Sequence, residues 1–178
     1  MDDGLRRLHE AITSATETMN SAQLSFHLPG KWSAAEVLEH LYLTYKGTVK
    51  GCEKCLTDGK PFARKPLLSD RVRAAVVVRF GYMPEGRKAP ERSIPKGMLP
   101  EDVAGAIGPE LLTMDNLISQ CEARFGKRTR LMDHPVLGPL TAVQWRQFHS
   151  VHGQHHMKQI RALQQQSAAI VPEAQAAK

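Results

Sequence analysis

Apolar residues recur at three- and four-residue steps along four long segments, and this helical period restricts the fold classes open to the chain. The segments are residues 3–20, 33–57, 100–125 and 141–165. No long run shows the period of two that is typical of a half-buried strand. We therefore predict an all-α protein, a four-helix bundle, with a single domain over residues 1–166 and a flexible tail over residues 167–178.

Two capping boxes predict where the second and fourth helices begin. Glu36 follows Ser33 at the required spacing, and Gln144 follows Thr141 in the same way. In this motif the hydroxyl accepts a hydrogen bond from a free amide of the first turn, and the longer side chain accepts one from the amide of the cap residue. The composition of residues 133–140, just before the fourth helix, is typical of a turn.

The connection between the second and third predicted helices is long, irregular and basic. A short helix is predicted over residues 70–80, and three consecutive valines leave a short strand as the alternative. Residues 64–96 contain nine basic and three acidic side chains, which accounts for the whole net charge of +6. Such a segment attracts anionic ligands, although a solvated basic surface without a partner is the other interpretation.

Three histidines are predicted to lie where such a bundle normally buries aliphatic side chains. His40 shares a helix face with Val37 and Leu41, and His152 and His156 lie one turn apart on the apolar face of the last helix. Burying three imidazoles without partners is costly, and a divalent ion that takes one nitrogen from each removes that cost.

Other interpretations of the histidines remain open from spacing alone. A histidine on an apolar face is often a hydrogen-bonded core residue, and the His-x3-His spacing is a weak motif by itself. The neighbouring His149 and His155 are also consistent with a solvated histidine-rich turn. His155 is the substitute ligand if the helical register differs by one residue.

Three neutral imidazoles leave a divalent ion with its charge and with a free coordination position, which suits catalysis on a water or a thiol. Glu36 and Gln159 lie within one turn of the histidines and are candidates to orient the rings, although a cap residue and a surface residue are the alternatives. Arg71, Arg73 and Arg79 would contact an anionic substrate if the basic segment covers the open position.

Two motifs resemble those of the DinB/YfiT-like superfamily. The first is WSAAEVLEHL at residues 32–41, and the second combines HPVLGPLT at residues 134–141 with HGQHHMKQI at residues 152–160. The resemblance implies a four-helix bundle with a nickel or zinc ion on His40, His152 and His156. It also implies an activity such as that of bacillithiol transferases, mycothiol-dependent maleylpyruvate isomerases or proposed hydrolases, with a low-molecular-weight thiol as one substrate class.

The remaining features give expectations about location and partners. Cys52, Cys55 and Cys121 suggest no disulfide framework, so we expect a cytoplasmic protein; the CxxC at residues 52–55 leaves a redox or zinc role as the lesser alternative. No apolar run is long enough to cross a membrane, and the start lacks the pattern of a secretory signal. Nucleic-acid binding through residues 64–96 is an alternative that we do not favour, because no recognisable module is present. A non-catalytic metal site is another alternative, and a homodimer remains open.

Overall fold

The computed structural model describes residues 1–83 and 88–170, with side chains up to residue 168. Most of this part of the chain is helical, which confirms the all-α prediction in outline, and a small two-stranded sheet is added. The helices are α1 (Asp3–Thr18), α2 (Ser21–Ser25), α3 (Ala34–Asp58), α4 (Leu68–Ala74), α5 (Pro100–Phe125) and α6 (Ala142–Ile170).

The four long helices pack around one apolar core. Helix α3 contacts α5 and α6, and α1 contacts α6 and α5. The predicted stripe of α1 is buried, with Leu5, Leu8 and Ile12 no more than 1% exposed. Helix α1 approaches α6 closely at Gly153, where a β-carbon would overlap the side chain of Leu8. Removing apolar side chains from water at these interfaces is the main driving force for the fold.

Both predicted capping boxes are confirmed. The amide of Ser33 donates to Glu36 Oε2 at 2.7 Å and the amide of Glu36 donates to Ser33 Oγ at 3.1 Å. At the start of α6 the amide of Thr141 donates to Gln144 Oε1 at 3.0 Å and the amide of Gln144 donates to Thr141 Oγ1 at 3.3 Å. These bonds satisfy amides that have no partner inside the helix.

The turn predicted at residues 133–140 is part of an antiparallel hairpin of β1 (Arg130–His134) and β2 (Gly138–Thr141). The sequence does not predict these strands because they have only five and four residues, and the second contains a proline. The tight turn is fixed by His134 Nδ1, which accepts from the amides of Val136 and Leu137 at 3.1 Å each.

The basic connection is partly helical, as predicted, and the strand alternative is wrong. Helix α4 begins at Leu68, two residues before the predicted start, and continues as a π-helical turn over Ala75–Arg79. A 3-10 turn follows at Glu91–Ser93. Arg87 of this basic segment lies outside the described residues.

The last helix is longer than predicted. It continues to Ile170, and Ser167 is fully buried, so position 166 lies within a helix. Residues 171–178 of the predicted tail lie outside the described residues. Among the described helices, none is long and apolar enough to cross a bilayer.

Candidate metal centre

Helices α3 and α6 bring His40, His152 and His156 together. All three rings are buried, with exposed fractions of 4%, 9% and 9%. One ring nitrogen of each lies within 4.8 Å of the others, and this is the group of potential metal ligands found among residues 1–83 and 88–170. The distance from His152 Nε2 is 3.2 Å to His40 Nε2 and 3.0 Å to His156 Nε2.

Protein acceptors hold the opposite nitrogen of two of these rings. His40 Nδ1 lies 2.7 Å from the carbonyl oxygen of Ser93, and His156 Nδ1 lies 2.8 Å from Gln159 Oε1. Because a carbonyl or amide oxygen only accepts, each Nδ1 must carry the proton in a neutral ring. The lone pairs of His40 and His156 are therefore on Nε2, the atoms that face His152.

With this protonation pattern, hydrogen bonds alone cannot satisfy all three Nε2 atoms. A neutral His152 has one ring proton, so it can donate to one of the two neighbouring lone pairs at most. A cation bound by all three Nε2 atoms would satisfy every one of these lone pairs. Two nitrogens that each bind one ion at about 2 Å lie about 3 Å apart, in agreement with the two close contacts. The residues present therefore fit a divalent ion.

Burial keeps the three rings neutral. Desolvation lowers the pKa of His40, lowers that of His156 to about 4 and lowers that of His152 well below its ordinary value. Neutral imidazole is the form that binds a metal, so the rings need not release protons near neutral pH.

Aromatic rings and a folded-back loop enclose the cluster. Phe148 stacks on His152 with ring centroids 5.2 Å apart, and the centroid of Trp32 lies 5.3 Å from that of His40. Glu39, next to His40 and only 1% exposed, accepts hydrogen bonds from the amides of residues 96–98 at 2.7 to 3.0 Å. Glu39 thus holds in place the loop that carries the Ser93 carbonyl.

A family model described as a protein of unknown function, DUF1569, matches residues 4–162. The chain belongs to the DUF1569 family. The matched range includes the three histidines, the hairpin and most of α6. No curated protein and no solved structure matches the chain.

The two residues of this DUF1569 protein that were predicted to orient the histidine rings have different roles. Gln159 contacts His156, as predicted, and its Nε2 also lies 3.2 Å from His155 Nε2. This second bond places His155 outside the triad and sets the orientation of the amide. The carboxylate of Glu36 is instead used by the capping box, which was the alternative interpretation.

The three arginines predicted to contact an anionic substrate at the open coordination position lie in two other environments. Arg73 is bound to Asp70 at 2.7 Å, while Arg71 and Arg79 line a cleft whose wall contains none of the three histidines. Position along the sequence could not reveal this, because the side of the protein on which α4 and its π-helical turn pack depends on contacts with the hairpin and α6.

Sequence patterns also missed several contributors to the site. Ser93 acts through its backbone carbonyl, and no side-chain motif predicts such a contact. Phe148 has the sequence pattern of an ordinary core residue. His149 was predicted only as a neighbour; it is fully buried, and its Nε2 lies 2.9 Å from Thr48 Oγ1.

The cysteines of α3 and α5 are buried free thiols. A hydrogen bond with Cys121 and burial raise the pKa of Cys52, and burial raises that of Cys55 to about 11. Because the thiolate is the reactive and metal-binding form, the two cysteines of the CxxC are inert at neutral pH. This agrees with the interpretation of the CxxC as core thiols. The hydrogen bond with Cys52 instead lowers the pKa of the Cys121 thiol.

Proposed function

We propose that this DUF1569 protein is a metal-dependent enzyme in which His40, His152 and His156 hold one divalent ion, nickel or zinc. The observation that carries the proposal is the convergence of three Nε2 atoms. In His40 and His156 this nitrogen carries the lone pair, because Nδ1 donates its proton to the Ser93 carbonyl and to Gln159 Oε1. Structural zinc sites normally have four protein ligands, whereas three leave a position for a substrate.

The chemistry that we infer is thiol transfer or hydrolysis. A divalent ion held by these three neutral imidazoles would lower the pKa of a coordinated water or thiol. The protein groups fix ring orientation: the Ser93 carbonyl holds His40, Gln159 holds His156, and Phe148 packs on His152. Trp32 and Phe148 exclude water from the apolar side of the cluster.

The resemblance to the DinB/YfiT-like superfamily supports the same proposal. We infer that the four long helices form a four-helix bundle of that type, with a low-molecular-weight thiol as the first substrate class to test. In this interpretation the protein acts in the cytoplasm, and a homodimer is to be tested by light scattering.

Metal analysis of protein purified without a polyhistidine tag tests the site. We expect about one zinc or nickel ion per chain, and loss of that ion in His40→Ala and His152→Ala. His27→Ala is the control, because this exposed ring lies outside the triad and contacts none of its members. Equal metal content in all four proteins would refute the site.

A separate assay tests catalysis. Metal-loaded protein is incubated with low-molecular-weight thiols and electrophiles, and loss of free thiol is followed over time. Loss of free thiol that occurs with the wild type and disappears in His152→Ala supports the transferase. Stoichiometric metal without activity on thiols, esters or amides favours the second candidate, a structural site, which the burial of all three rings also allows.

A further inference from the structure

A cleft of about 400 Å³ lies between helix α4, its π-helical turn, the hairpin and the first turns of α6. Its basic side chains come from two distant parts of the sequence: Arg71 and Arg79 from the α4 region, and Arg130 from β1. None of these three has a carboxylate partner within residues 1–83 and 88–170. Three like charges around one concavity create a positive field.

The carboxylate in the cleft wall, Asp70, does not neutralise these arginines. It is 2% exposed and accepts four hydrogen bonds, two from Arg64, one from Arg73 and one from the amide of Leu67. Four bonds fill the acceptor capacity of a carboxylate. Arg64 and Arg73 thus compensate the charge of Asp70, so the cleft keeps the positive charge of the other three arginines.

The rest of the lining restricts the ligand. Gln144 Oε1 is held by the amide of Thr141, which leaves its NH2 as the group available to a ligand. Ala74, Ala75 and Val78 supply an apolar wall. A cleft of this volume is at the small end of ordinary ligand sites. No aromatic side chain is among the lining residues, so a stacked nucleic-acid base is not the natural occupant.

We propose that this cleft binds a small organic anion whose charged head, a phosphate or a pair of carboxylates, contacts Arg71, Arg79 and Arg130 while a short apolar body packs on α4. Guanidinium groups suit such heads because they form paired, charge-assisted hydrogen bonds. The site is separate from the histidine triad, and the proposal does not depend on the metal-dependent activity.

Calorimetric titration of metal-free protein in about 0.15 M salt, an ionic strength that screens exposed charges, tests the proposal. The probes are inorganic phosphate, succinate, phenyl phosphate and, as the uncharged analogue, benzyl alcohol. We expect saturable 1:1 binding of the charged probes, with phenyl phosphate tightest and benzyl alcohol silent. The phosphate and succinate arms distinguish the two head groups.

Matched variants locate the site. Arg79→Gln and Arg130→Gln should each weaken phenyl phosphate binding about 10-fold, as expected when one charge-assisted contact is lost. Arg128→Gln is the control, because Arg128 is exposed, carries the same charge and is two residues from Arg130, outside the cleft. Circular dichroism checks folding, and the exposed position of Arg79 makes it the safer variant.

Three outcomes would overturn the proposal. The first is no saturation by any charged probe up to about 10 mM, which corresponds to negligible affinity. The second is equal weakening by Arg128→Gln and Arg130→Gln, which would indicate a diffuse surface field. The third is that duplex DNA displaces phenyl phosphate and that all three arginine variants bind the DNA more weakly than the wild type by an equal factor. That result would make the basic surface a nucleic-acid contact.

Discussion

The buried ring of His134 makes the stability of the protein sensitive to acid. Desolvation lowers the pKa of this ring to about 4 in the folded chain, whereas an unfolded histidine has a pKa of about 6.5. Between these values the unfolded chain binds a proton that the folded chain does not. The contribution of this ring to the unfolding free energy is therefore fully present above about pH 6.5, and it is lost as the pH falls toward 4. From pH 7.5 to 5.0 the loss is about 2 kcal/mol for one such ring, a sizeable part of a typical stability of about 5 to 15 kcal/mol.

His134→Asn removes this titration and keeps the local structure. The carbonyl oxygen of asparagine can accept from the amides of Val136 and Leu137, as His134 Nδ1 does, in a turn that asparagine favours. Lost packing against Phe148, whose ring centroid is 4.3 Å away, lowers stability at every pH and cancels in the comparison.

Urea unfolding of metal-free protein at pH 7.5 and 5.0 measures the effect. The loss of unfolding free energy between the two pH values should be about 2 kcal/mol smaller in His134→Asn than in the wild type. His27→Asn, at an exposed position, controls for removing a histidine elsewhere. Equal losses in the wild type and His134→Asn would refute the reasoning, because the folded chain would then take up the proton at this ring.

Two further substitutions test the metal centre and the hairpin. Gln159→Leu removes the acceptor of His156 Nδ1 and should weaken zinc binding about 10-fold in a chelator competition; unchanged affinity would show that Gln159 does not orient the ring. Gly138→Ala should lower the unfolding free energy by about 3 kcal/mol, because Gly138 has φ +75° and its β-carbon would lie 2.5 Å from Asp70 Cγ. Gly30→Ala, with φ +71° and open space, should cost about 1 kcal/mol; equal losses at both glycines would mean that the Asp70 contact is unimportant.

The sequence predicted the long helices well because each has both a period and a boundary signal. The start of α3 at Ala34 follows from the Ser33 capping box, and its end follows from Gly59, which adopts φ +68°. The end of α6 was placed too early, at residue 165, because the alanines and glutamines that follow carry no stop signal. Ser167 is fully buried, so this extension of the helix packs against the rest of the protein.

Local patterns predicted which histidines face inward but not what surrounds them. The period of α6 places His152 and His156 on one face, and the period of α3 places His40 inward; the structure brings the three together. The bond from His40 to Ser93 joins residues 53 positions apart through a backbone carbonyl. No side-chain pattern encodes such a contact, since every residue has a carbonyl group.

The irregular connection therefore has a role that its composition hides. Two consecutive residues of α3 bind it: Glu39 accepts the amides of residues 96–98, and His40 donates to the carbonyl of Ser93. A carboxylate that is 1% exposed requires such partners, so Glu39 and the loop stabilise one another. The loop closes the α3 side of the triad, while Gln159, which is exposed, marks the side where the triad meets solvent. The loop holds Nδ1 of His40 and Gln159 holds Nδ1 of His156, so both orient these rings from the side opposite the converging Nε2 atoms.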